Sequence, residues 1–165
     1  MLKTKQSLSE AFAGESQANR KYLAFAAKAD QEGYPQVARL FRAAAEAETV
    51  HAHNHLRVLN GIKTTKENLQ EAVQGETHEF KKMYPEMIEA AKAEGQKAAE
   101  RTFQFANEVE KVHAQLYQKL LDHLGKTQDN YSYYVCPVCG YTAEKEPPGT
   151  CPVCGAKGEM FKKIE

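Results

Sequence analysis

The chain has 165 residues, with 22 Lys and Arg against 22 Asp and Glu. That length supports one compact domain of about 100 to 150 residues with a small appendage, and it needs no disulfides to fold. Balanced, interspersed charge offers no field for nucleic acid or an anionic membrane. No apolar run approaches the roughly 20 residues of a spanning helix, and the opening MLKTKQSLSEAF lacks a signal-peptide pattern, so a cytoplasmic protein is expected.

Before about residue 130 the chain is rich in Ala, Glu, Lys, Gln and Leu, with prolines only at Pro35 and Pro85; after it come four of the six prolines and all four cysteines. Strong helix formers followed by turn formers predict a helical body over 1–130 and a small tail over 131–165. The segment GKTQDNYSYY joins them, with Gly125 as a helix stop. A first helix opens at SLSE, where Ser7 and Glu10 have capping-box spacing, and runs to Gly33. A second starts at Pro35, tolerated in a first turn, and ends at Asn60 and Gly61. A third opens with the capping box of Thr64 and Glu67 and extends to about Glu94, with Pro85 expected to bend it; a fourth runs from about Gln96 to Leu124. Helices of roughly 25 residues are about 37 Å long, the proportions of a four-helix bundle.

The body repeats itself at an offset of 62. Glu32, Gly33, Arg39, Phe41, Ala44, Glu46, Glu48, Val50, His51 and Ala52 recur as Glu94, Gly95, Arg101, Phe103, Ala106, Glu108, Glu110, Val112, His113 and Ala114. A bundle of two related hairpins has an approximate two-fold axis, so a site carried on both halves meets itself in the core. The repeat preserves two ExxH motifs, Glu48/His51 and Glu110/His113. Residues three apart share a helix face, so each pair can offer one metal ion a carboxylate oxygen and an imidazole nitrogen. The other two helices supply more carboxylates. Glu15 precedes Glu48 by 33 residues and Glu76 precedes Glu110 by 34, and Glu79 lies one turn after Glu76. Five carboxylates and two histidines suit iron or manganese better than zinc, and bridging carboxylates can hold two ions close together. A two-electron redox centre follows.

Within the run EAETVHAHNH only His51 shares both face and level with Glu48. His53 lies about 140° round the helix and is expected in solvent, while His55 shares the face but sits about 10 Å further along the axis.

The tail reads CPVCGYTAEKEPPGTCPVCG. Cys136, Cys139, Cys151 and Cys154 form two CPVCG knuckles with an 11-residue gap, supplying four thiolates for one tetrahedral ion. The glycine after each pair lets the backbone turn so that amides point at sulfur. Structural zinc and a one-iron redox centre use the same ligand set, and spacing leaves both open.

Taken together, GESQANRKY, ETVH, GETHEFKKMYP, EKVH and the paired knuckles resemble the rubrerythrin family over essentially the whole chain. The resemblance implies an all-α, ferritin-like four-helix bundle followed by a rubredoxin-like domain, carrying a di-iron (Fe–O–Fe) centre and one tetrathiolate iron. It implies that Glu48 and Glu110 bridge the irons, that Glu15 is terminal on one, and that Glu76 and His113 are terminal on the other. The family's exchangeable iron ligands match Glu79, bound when oxidised, and His51, bound when reduced; Tyr22 and Tyr84 match tyrosines lining its site. The activity implied is reduction of hydrogen peroxide to water in protection against oxidative stress. Electrons would come through the tail from rubredoxin or an NAD(P)H-dependent reductase, in a homodimer with or without exchanged helices. The knuckle gap is shorter than in free rubredoxins. The alternatives are a ferritin-like iron-oxidising or storage protein, against which the four-cysteine tail argues, and a zinc-stabilised interaction module.

Overall fold

The structure is a computed structural model and describes residues 3–126 and 130–165. Residues 1, 2 and 127–129, the last being part of the expected linker, lie outside the described residues. The helices are α1 (Lys3–Gln31), α2 (Pro35–Val58), α3 (Thr65–His78), α4 (Tyr84–Ala93) and α5 (Lys97–Asp122), with a π-helical segment, Glu79–Met83, joining α3 to α4. The tail carries β1 (Tyr133–Val135), β2 (Thr142–Glu144) and β3 (Lys162–Ile164) in one antiparallel sheet of order β2-β1-β3. The expected helical body and small four-cysteine tail are therefore present. Among the described residues no helix is long and apolar enough to cross a membrane. The chain divides into two compact units, Met1–Lys63 and Thr64–Glu165.

Helix ends fall where the stop signals stand. Gly33 (φ 80°) closes α1, with the Tyr34 amide donating to the Ala29 carbonyl and the Gly33 amide to Asp30. Gly95 (φ 68°) closes α4 in the same way through Gln96 to Ala91 and Gly95 to Lys92, and Asn60 (φ 55°) takes this role after α2. These are left-handed caps that satisfy the last carbonyls of a helix. At the N-terminus of α3, Thr64 and Glu67 form the reciprocal capping box. Ser7 corrects its expected role: it lies inside α1 and its hydroxyl donates back to the Lys3 carbonyl at 3.0 Å. Lys3 to Gln6 contain no helix breaker, so the helix runs past the serine, and Glu10 accepts from Gln6 Nε2 instead.

In the first unit α1 and α2 form an antiparallel hairpin. Its seam is alanine: Ala26, Ala29, Ala38, Ala45 and Ala52 are buried, allowing the backbones to approach closely. Asn19 crosses the seam, its Nδ2 donating to the Ala45 carbonyl and to Thr49 Oγ1. The larger apolar side chains point elsewhere: Phe25 and Val50 are about half exposed and Leu40 is 68% exposed. Such a hairpin has buried only one stripe of each helix.

In the second unit α3, the π segment and α4 run antiparallel to α5. Pro85 has no amide hydrogen to give and its ring crowds the carbonyl four residues back. Immediately before it the helix widens by one residue, and the Tyr84 amide reaches the Glu79 carbonyl, an i to i−5 bond. This locates an irregularity in the repeat. Gly14/Gly75 and Glu15/Glu76 are 61 apart, whereas Tyr22/Tyr84 and Phe41/Phe103 are 62 apart; the extra residue of the second copy is absorbed in the π segment. Beyond it the equivalence is restored, with Tyr22 against Phe41 (ring centroids 6.0 Å apart) and Tyr84 against Phe103 (6.3 Å).

The tail packs its own core of Cys136, Cys151 and Phe161, with Tyr134 and Tyr141 against it. It is tied to α5 by Lys119, whose Nζ donates to both carboxylate oxygens of Glu144 at 2.9 and 2.7 Å; Tyr131 also donates to that carboxylate.

Candidate metal centres

Three clusters of metal-ligating side chains form, each with its donor atoms within 4.8 Å of one another: Glu15, Glu48 and His51; Glu76, Glu110 and His113; and the four cysteines. The first lies in the α1–α2 hairpin and the second in the hairpin of α3 and α5. Both are built alike. His51 Nδ1 is 2.9 Å from Glu48 Oε2, and His113 Nδ1 is 2.7 Å from Glu110 Oε2, each within one ExxH turn. In each hairpin the opposite helix brings one more carboxylate to the ExxH glutamate, Glu15 to Glu48 and Glu76 to Glu110, close enough to share a proton.

The electrostatics follow from this crowding. Burial, then the charge and hydrogen bond of Glu110, push the Glu76 carboxyl up to about 7. The hydrogen bond from His113 holds Glu110 below the usual carboxylate range, and the same bond raises the His113 imidazole. Glu48 is likewise lowered by His51 and by Glu15. Two carboxylates that must share a proton, beside an imidazole, form a place where a divalent cation would relieve repulsion. Hard oxygen donors with one nitrogen per cluster fit iron or manganese.

Glu79 lies in neither three-residue cluster. It is half-buried at the start of the π segment and raised by burial and by the charge of Glu110. Tyr84 is raised by burial, then by Glu110, Glu79 and Glu76, which places it among the second cluster's carboxylates. Tyr22 sits half-buried between Phe25 and Phe41. Of the remaining histidines in the run, His53 is exposed and His55 half-buried.

Two neighbours of His113 escaped the sequence reading. Tyr117, one turn along α5, lines a cavity of about 210 Å³ with His113, Leu116, Leu120, Tyr133 and Thr142, and is raised by burial and by Glu76 and Glu110. Its i+4 spacing from His113 was a usable signal. Thr142 of β2 brings its hydroxyl to 3.0 Å from His113 Nε2, and nothing in the spacing of two residues 29 apart announces it.

In the tail, Cys136 and Cys154 sulfurs are 3.6 Å apart and those of Cys139 and Cys151 3.5 Å. A tetrahedral ion with bonds of about 2.3 Å to sulfur spaces its ligands by about 3.75 Å, so the four thiols fit one such ion. Gly140 (φ 85°) and Gly155 (φ 78°) make the turns. Backbone amides of Val138 and Cys139 donate to the Cys136 sulfur, that of Tyr141 to Cys139 and that of Ala156 to Cys154. At Cys136 burial works upward, but these amides and the neighbouring thiols outweigh it and bring the thiol down to about 7.

A pair of helical hairpins bearing duplicated Glu–Glu–His clusters, with a tetrathiolate ribbon on the same chain, defines an iron protein of the ferritin-like class. Family models agree: Rubrerythrin matches residues 6–121, and Rubrerythrin, rubredoxin-like domain, matches residues 134–162. Rubrerythrin-2 of Clostridium acetobutylicum is 40% identical over 155 residues, 84% of this chain and 84% of its own. Nigerythrin of Nitratidesulfovibrio vulgaris is 34% identical over 157 residues, 87% of this chain and 77% of its own. A solved structure of fully reduced, all-ferrous nigerythrin aligns with a TM-score of 0.60 at 32% identity, covering 99% of this chain and 88% of that one. The chain belongs to the rubrerythrin family, and its Glu/His clusters and four cysteines are the family's di-iron and rubredoxin-like sites.

Proposed function

We propose that this protein is a peroxidase that reduces hydrogen peroxide to water, taking up two electrons and two protons per peroxide. The carrying observation is the coexistence of two equivalent Glu–Glu–His clusters with a four-thiolate site on one chain, since iron storage needs no dedicated electron inlet. The di-iron ligands are Glu15, Glu48 and His51 from one hairpin and Glu76, Glu79, Glu110 and His113 from the other; Cys136, Cys139, Cys151 and Cys154 hold the tail iron. Irons held by these residues would supply two electrons to peroxide at the bundle and take up their replacements one at a time at the tail. The chain's residues do the rest. Tyr84 and Tyr22 relay protons, and the cavity of about 210 Å³ beside His113 and Tyr117 is large enough for peroxide. The bundle and tail are assigned to 1–130 and 131–165, and the protein works as a homodimer that covers the apolar helix faces left exposed in each hairpin. Electrons come from rubredoxin or an NAD(P)H-dependent reductase.

The test is to mix the fully reduced, iron-loaded protein with peroxide and, separately, with oxygen. Oxidation by peroxide should be at least about tenfold faster, with water as product; faster oxidation by oxygen, with ferric iron accumulating as mineral, would establish the storage reading instead.

A further inference from the structure

The two histidines of the repeat are held differently. His51 meets Glu48 through Nδ1, and among the described residues its Nε2 has no partner; its side chain is 53% exposed. His113 has partners at both nitrogens and its side chain is 27% exposed. The second partner, Thr142, belongs to the tail. Its hydroxyl hydrogen is directed to the Gly140 carbonyl at 3.2 Å. A hydroxyl has a single hydrogen to donate, so while it donates to Gly140 it accepts from Nε2–H of His113. Nδ1 faces Glu110 Oε2 at 2.7 Å and Glu76 Oε1 at 3.9 Å, and without an ion it donates to Glu110. An ion bound there takes the place of that hydrogen, and Nε2 then keeps the imidazole's remaining hydrogen, for which Thr142 is the acceptor.

We infer that Thr142 is a positioning residue of the bundle's metal site, lent by the four-cysteine tail: it fixes the tautomer and ring orientation of His113 so that Nδ1 binds the ion. This makes His113 the anchored histidine and leaves His51, its equivalent in the other hairpin, free to exchange. Partners that orient a ligating imidazole typically change metal affinity by about ten- to a hundredfold when removed. The same hydroxyl links the two sites directly. Gly140 follows Cys139 in the chain, so one peptide carbonyl and one hydroxyl join a tail ligand to a bundle ligand.

The inference rests on His113 being a metal ligand, and a titration with cobalt(II), the tail already filled with zinc, separates the two ideas. Failure of the wild-type full-length protein to bind cobalt in its bundle would defeat the ligand reading itself. If it binds, Thr142→Val should weaken cobalt binding about ten- to a hundredfold and alter the bound ion's absorption spectrum, while Thr142→Ser keeps both as in wild type. Lys119→Ala, which loosens the tail's tie to α5 without touching His113, should stay within about threefold. Equal affinity in Thr142→Val, no rescue by serine, or a loss in Lys119→Ala as large as in Thr142→Val would overturn the role of the hydroxyl. Nitrogen-15 spectra of the wild type with zinc in both bundle and tail provide a reading that needs no variant: His113 with Nδ1 on the ion and hydrogen on Nε2 is expected, and Nε2 on the ion with hydrogen on Nδ1 would refute the assignment.

Discussion

Glu76 and His113 show how the site uses its own repulsion. Without metal, Glu76 keeps its proton up to about pH 7, because burial and Glu110 disfavour its charge, and His113 is also held protonated above its ordinary range. Both protons compete with a cation, so metal affinity should fall as pH drops through about 7, a window in which an ordinary exposed carboxylate, already charged, gives no change. Calorimetric titration in buffers of different ionisation heat should show about one to two protons released per ion bound at this cluster near pH 6.5. In the tail, Cys136→Ser removes one of four thiolates from a site whose core consists largely of the cysteines themselves. The tail should lose its metal and its thiolate-to-iron absorption while the helical signal in circular dichroism stays unchanged. At this scale the sequence was legible where ligands sit three apart on one helix. It was silent on Thr142, because a contact between β2 and α5 depends on how the tail docks.

The π segment explains a discrepancy that the sequence displays without interpreting. Spacings of 33 and 34 residues between equivalent glutamates differ by the one residue that Glu79–Met83 absorbs ahead of Pro85. Deleting Met83 should give a regular helix but turn Glu76 and Glu79 by about 100° relative to Tyr84. Bundle metal affinity should fall at least about tenfold with the tail metal retained, which metal analysis after gel filtration would report. The caps are simpler. Gly33 stands at φ 80° with open space where a Cβ would be, so Gly33→Ala meets only backbone strain and should cost about 1 kcal/mol, read from the shift in the urea midpoint. Stops, caps and Pro35 were all readable, since they are local. The start of α1 was not: a serine with a glutamate three residues on has capping-box spacing anywhere, and only the uninterrupted helix formers before Ser7 decide against it.

For the whole molecule, the decisive quantity is apolar surface. The α1–α2 hairpin buries alanines and leaves Leu23, Phe25, Leu40 and Val50 between 42% and 68% exposed. Surface of that kind associates, so sedimentation should show a dimer. Leu40→Glu should shift it toward monomer and lower bundle metal content, with the tail's absorption intact; a monodisperse wild-type monomer would contradict the homodimer.

The sequence by itself determined the helical body, the duplicated ExxH motifs, the auxiliary glutamates and the four-cysteine knuckles, because each is written in spacing along one element. Tertiary structure decided which carboxylates share a proton, which nitrogen of His113 faces them, and that a threonine of the tail meets the other. Those are relations between elements, set by packing across a hairpin and by the docking of a sheet on a helix, and no periodicity along the chain encodes them.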